Sequence, residues 1–121
     1  MVHESGDHKF AAVGLFVEIG ADNPALAPIV AAIPAPGEQP KATTADVDLS
    51  KLAPTDPKAY RYNGSLTTPP CTEGITWIVF ATPITLGADQ VQALLATTQQ
   101  PSNRPVQPLN GRRIEQVAAQ P

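Results

Sequence analysis

Apolar positions first gather between Phe10 and Ile19, where their spacing is that of a strand. Ala11, Val13, Leu15, Val17 and Ile19 share one face, and Phe10, Ala12 and Phe16 make the other face largely apolar. A strand apolar on both faces predicts a central position, buried on both sides, and Gly20 ends it. The pattern then changes period. Leu26, Ile29, Val30 and Ile33 fall on one face of a short helix over 25–33, with Asn23 as N-cap, Pro24 at its first position and Pro34 as its stop. Residues 38–44 read as exposed loop. Val47, Leu49 and Leu52 read as apolar anchors in an irregular stretch.

Two more strands follow. Tyr60 to Leu66 runs into the corner Thr67-Thr68-Pro69-Pro70, and Ile75 to Phe80 is β-branched, aromatic and apolar on both faces. Pro83 to Leu86 continues extended. A helix over 90–97 carries Val91, Leu94 and Leu95 on one face. Residues 103–114 read as extended and turn-rich, and 116–121 as a frayed tail. The reading is one mostly β (α+β) domain over residues 1–115, with short helices at the margin of a sheet. Three strong strands cannot cover both faces of their own central members, so the pattern itself points to an incomplete domain.

Composition narrows the function classes. Fourteen prolines in 121 residues, about twice ordinary usage, favour turns and short elements over long helices. The net charge of −3 and the lack of a basic run argue against nucleic acid as a partner. No apolar stretch is long enough for a membrane span. Met1 to Ser5 shows no basic and then apolar leader pattern. Cys71 is the single cysteine, so it has no partner within the chain.

The chemistry-bearing block is Ser65-Leu66-Thr67-Thr68-Pro69-Pro70, followed by Trp77-Ile78-Val79. With Arg104-Pro105-Val106-Gln107-Pro108-Leu109 downstream, and Val2-His3 and Ala11 to Phe16 upstream, it resembles the α-carbonic anhydrase family, bacterial type, in order from Met1 to about Ile114. The resemblance implies part of a large, mainly antiparallel twisted sheet with short peripheral helices. It also implies an activity, the carbonate dehydratase reaction: reversible, zinc-dependent hydration of CO2 to bicarbonate and a proton. Three protein ligands and one open position is the catalytic-zinc pattern, of which carbonic anhydrases are themselves a standard example.

Roles follow by match. Thr67 corresponds to the hydroxyl that orients the zinc-bound hydroxide, a positioning function, and Thr68 sits beside bicarbonate. CO2 has no dipole and calls for an apolar wall, which Val2, Ala12, Leu66, Ile75 and Trp77 match; Ala12 is smaller than the usual valine. Tyr62 matches a member of the hydrogen-bond network, and Arg104 a structural arginine without chemistry. Each also has a plain reading as strand core or turn residue.

The resemblance is incomplete where it matters most. The family holds zinc with a His-x-His pair and a third histidine on the next strand. This chain has only His3 and His8, and no His-x-His. Counted back from His3, the third ligand position lies before Met1, so His3 is a neighbour of that position and not a ligand. The buried glutamate that partners Thr67 and the proton-shuttle histidine also match positions upstream. His3, Glu4, Asp7 and His8 form a dense set of ligand types, but at a terminus and without closed geometry. The expectations are therefore a C-terminal portion that binds no zinc tightly and is inactive alone, self-association through exposed strand edges, and a periplasmic or secreted parent in which Cys71 pairs with an N-terminal cysteine. The rival readings are a non-catalytic carbonic-anhydrase-like binding module and a half-enzyme that needs a separate N-terminal part.

Overall fold

The longest β-branched and aromatic run in the chain forms the middle strand of the observed sheet. The structure is a computed structural model that describes residues 2–6, 9–34, 38–39, 48–97 and 103–119. Its strands are β1 (Val2–Glu4), β2 (Phe10–Gly14), β3 (Val17–Ile19), β4 (Lys58–Ser65), β5 (Glu73–Phe80), β6 (Ile84–Leu86) and β7 (Ile114–Ala118). Two short helices, α1 (Ala27–Ala31) and α2 (Ala88–Ala96), and a 3-10 turn over Leu49–Leu52 complete the described elements. Asp48 caps that turn by accepting from the Ser50 N–H, and the Ser50 hydroxyl bond is the main cause holding its carboxyl below the usual range.

Five strands make one sheet in the order β1-β2-β5-β4-β7, and β3 pairs with β6 in a second. β2 and β5 run parallel, as do β3 and β6; the other pairs are antiparallel. The mostly β architecture with short helices is as expected. The chain divides into two compact units: one of Met1–Phe16, Pro54–Pro83 and Asn103–Pro121, the other of Val17–Ala53 and Ile84–Ser102. The first holds the five-stranded sheet, with Ala12, Ala59, Ile75 and Phe80 as its buried apolar positions. The second buries Leu26, Leu52 and Leu86 around one buried polar side chain, Gln90. Gln90 accepts from the N–H groups of Asn23 (2.8 Å) and Gly87 (3.1 Å) and donates to Asn23 O (2.9 Å), which satisfies it and ties the start of α2 to the Asn23 backbone.

Several elements differ from the sequence reading. The strand expected over 10–19 is two strands in two sheets. Gly14 lies beside Val79 and Val17 beside Ile84, so two extra residues sit on the β5–β6 side of the break. They include Pro83, which has no N–H to continue a ladder. Nor is this segment buried on both faces. Ala12 is buried, but Phe10, Phe16, Val17 and Ile19 are exposed, because nothing among the described residues covers them.

The helix expected at 25–33 shrinks to Ala27–Ala31. Asn23 does not cap it: its side chain closes a turn onto the Ala25 N–H (3.0 Å). Pro28 is the cause, since it lacks the N–H that would extend the helix backward. The tail expected to fray from residue 116 is instead strand up to Ala118. β7 pairs with β4 from Ile114↔Tyr62 to Ala118↔Lys58, and the Ala119 N–H reaches Pro57 O at 2.7 Å. Pairing partners satisfy those backbone groups, which sequence position alone did not reveal. Asp7, His8 and residues 40–47 lie outside the described residues. No helix among the described residues is long and apolar enough to cross a membrane.

Candidate functional site

Side chains alternate across a strand, and residues side by side on neighbouring strands share a face. Following the registers from one edge of the five-stranded sheet to the other gives a single transverse row: Val2↔Ala12↔Trp77↔Tyr62↔Ile114. Four of the residues assigned to the pocket wall and its network therefore come from four strands onto one line and one face. Ile75, two residues from Trp77, joins the same face and is 2 % exposed. The row is covered toward its middle and open at its ends: Ala12 is buried, whereas Val2 is 60 % and Ile114 52 % exposed.

Two contacts fix the centre of the row. The rings of Tyr62 and Trp77 stack with centroids 6.4 Å apart and planes 7° from parallel. The Trp77 indole Nε1–H donates to Ser65 O at 3.0 Å. Gly64 makes room for this arrangement, since a Cβ there would lie 2.8 Å from Trp77 Cδ1.

The hydroxyl corner hangs from the same end of β4. A bulge interrupts the β4–β5 pairing: Gly64 faces Ile75 but Ser65 faces Glu73, which leaves Gly74 unpaired with φ +88°. Beyond it, the Leu66 N–H bonds Thr72 O (2.9 Å) and the Cys71 N–H bonds Thr68 O (2.9 Å), closing a tight loop around the cis Pro69–Pro70 bond. Ser65 anchors the loop. Its hydroxyl accepts from Arg104 Nη1 at 2.7 Å and donates to Leu66 O at 3.0 Å. Thr67 and Thr68 at the tip are exposed. Neither hydroxyl has a partner among the described residues, so each can both donate and accept toward a ligand.

Thr67, Trp77, Tyr62 and Arg104 line one cavity of about 510 Å3, which Leu109 and Arg112 also line. Of the expected site residues, the structure thus gathers Thr67, Trp77 and Tyr62 around one space. Val2, Ala12 and Ile75 share the face but not that cavity, and Leu66 and Thr68 flank Thr67 without lining it. Sequence reasoning placed Ser65 in the block without its anchoring role, and gave no part in the site to Gly64 or Ile114. Alternation from Tyr62 was the available signal for Gly64. The pairing of Ile114 with Tyr62 had none.

The implied zinc does not fit the residues present. His3 pairs with Ala11, one position off the Val2–Ala12 pair, so its side chain lies on the face opposite Trp77 and Thr67. No group of three His, Cys, Asp or Glu among the described residues could hold a metal ion.

Residues 2–118 match the family model described as eukaryotic-type carbonic anhydrase. The chain is 41 % identical over 113 residues to the carbonic anhydrase of Pectobacterium carotovorum, covering 93 % of this chain and 46 % of that relative. Among solved structures, it is similar to the α-carbonic anhydrase of Thermovibrio ammonificans in complex with sulfanilamide, with TM-score 0.83, 40 % identity, and coverage of 93 % of this chain and 50 % of that one. It is also similar to dioscorin complexed with ascorbate, with TM-score 0.85, 33 % identity, and coverage of 98 % and 52 %. The chain spans about half the length of the relatives it matches. With the row, the bulged strand end and the Thr-Thr-Pro-Pro corner in this arrangement, the chain belongs to the eukaryotic-type, or α-, carbonic anhydrase family.

Proposed function

We propose that this chain supplies the substrate-side part of a carbonate dehydratase, an α-carbonic anhydrase that interconverts CO2 and bicarbonate. The observation that carries the reading is the single apolar row with a free hydroxyl beside its centre. An apolar wall suits CO2, which offers little to hydrogen-bond. Val2, Ala12, Ile75, Leu66 and Trp77 form that wall in this reading. The Thr67 hydroxyl can accept one hydrogen bond and donate another, which is what holding the attacking oxygen in line with the CO2 carbon requires. Thr68 then receives the bicarbonate oxygens, and Tyr62 keeps the Trp77 side of the wall in place.

The zinc ligands, on this reading, belong to polypeptide outside this chain. Two histidines, with His3 on the wrong face, cannot make the three-ligand set. The chain alone is accordingly inactive. One set of measurements tests this. The complete protein hydrates CO2 in a sulfonamide-sensitive manner, and Thr67→Ala in it lowers kcat about 10- to 100-fold, the usual cost of losing a group that orients a metal-site ligand. The isolated chain shows neither that activity nor tight zinc uptake. One tightly bound zinc per isolated chain, with sulfonamide-sensitive turnover, overturns the reading.

A second reading has one observation in its favour. Dioscorin, similar over nearly the whole of this chain, was solved with ascorbate. A non-catalytic binding module of the same fold is distinguished by a complete protein that melts cooperatively, binds a small molecule over the Trp77 row and shows no turnover.

A further inference from the structure

The β4–β7 edge of the same sheet carries a cluster of arginines that the carbonate dehydratase reading does not use. Arg61 and Glu115 are cross-strand partners on β4 and β7. Alternation puts both on the side away from Trp77, together with Asn63 and with Arg113 just before β7. A tight turn leads into β7. Asn110 (φ +49°) and Gly111 (φ +78°) are both left-handed, and the Arg112 N–H bonds Leu109 O at 2.9 Å, so the turn is of the mirror-image type that an Asn-Gly pair favours. It delivers Arg112 and Arg113 side by side.

Arg112 is held rigidly. Its Nε donates to Leu109 O (2.9 Å), Nη1 to Asn63 O (2.9 Å) and Nη2 to Pro108 O (2.8 Å). Three of its five N–H groups are thereby committed, which leaves one on each terminal nitrogen. Arg61 and Arg113 are exposed and make no side-chain hydrogen bond or ion pair among the described residues. Arg61, Arg112 and Arg113 line one cavity of about 590 Å3 together with Tyr62, Asn63 and Gly111, and with Glu115 as its one carboxylate. Three of the chain's four arginines thus converge in a molecule whose net charge is −3. Against one carboxylate they leave a local charge of two positive units. Such repulsion is relieved by an anion, and planar guanidinium forks match the oxygens of a tetrahedral oxyanion.

We propose that the Arg61, Arg112 and Arg113 cluster binds a doubly charged tetrahedral oxyanion of the phosphate type, free or as a phosphate monoester. Arg61 and Arg113 lie on the face opposite the Trp77 row, while Arg112 also lines the Thr67–Trp77 cavity, so the test reads phosphate binding and not CO2 turnover. Calorimetric titration of the full chain at low ionic strength, with inorganic phosphate in one arm and glycerol 3-phosphate in the other, tests it. Single-site binding is expected, weakened about 10-fold or more in Arg61→Gln/Arg113→Gln while the melting temperature stays unchanged, since neither side chain has a structural partner. Binding of phosphate alone identifies the free ion, and equal binding of the monoester identifies a larger phosphorylated ligand. No binding in either arm overturns the proposal. So does an affinity that the double variant leaves unchanged, or one no tighter than for chloride at equal ionic strength.

Discussion

Gly64 decides where the Trp77 indole lies. A methyl group at this position comes within 2.8 Å of the ring, so Gly64→Ala must push the indole off the end of β4 and strain its bond to Ser65 O. The expected cost is about 1–3 kcal/mol, the usual range for forcing extra volume into a packed contact. A lowered melting temperature and a shifted Trp fluorescence spectrum check it; a variant with wild-type values of both would contradict the assigned contact. At this scale the sequence was legible wherever identity alone carries the information. Thr67, Thr68 and Trp77 stand in a block with few alternatives. The Arg104–Ser65 hydrogen bond was not legible, because it joins residues far apart in the chain through a geometry that neither end encodes.

At the scale of elements, the period-2 pattern found β4 and β5 to within about two residues, since side-chain alternation is a local property. It failed where the pairing partner changes. Nothing in Phe10 to Ile19 announces that Gly14 is the last residue on β5's ladder and Val17 the first on β6's. It failed likewise at β7, whose mostly exposed residues read as a tail but are held by β4. That assignment is testable. Val117 lies beside the fully buried Ala59, and Val117→Pro removes an N–H from the strand. Amide exchange along Lys58–Tyr62 then accelerates on the β7 side, while the β2–β5 ladder stays protected. Unchanged exchange in β4 would count against β7 as a strand in solution.

At the scale of the whole molecule, one edge of the sheet among the described residues is β1, three residues long, with Val2 60 % exposed. The exposed Val2 side chain beside the exposed Phe10 favours association through that end of the sheet. Concentration-dependent dimerisation of the isolated chain is the expected outcome in sedimentation velocity, suppressed by Val2→Lys; a strict monomer at the highest soluble concentration excludes it. The transverse row has a consequence for how the chain folds. The Ala12–Trp77 and Tyr62–Ile114 pairs join distant parts of the chain, and a slip of one residue in any pairing would turn its member to the opposite face. The wall therefore exists only when four independent registers are correct at once. Loop-closure entropy must be overcome before any of those long-range pairs contributes, which makes the wall a late product of slow folding rather than a nucleus for it.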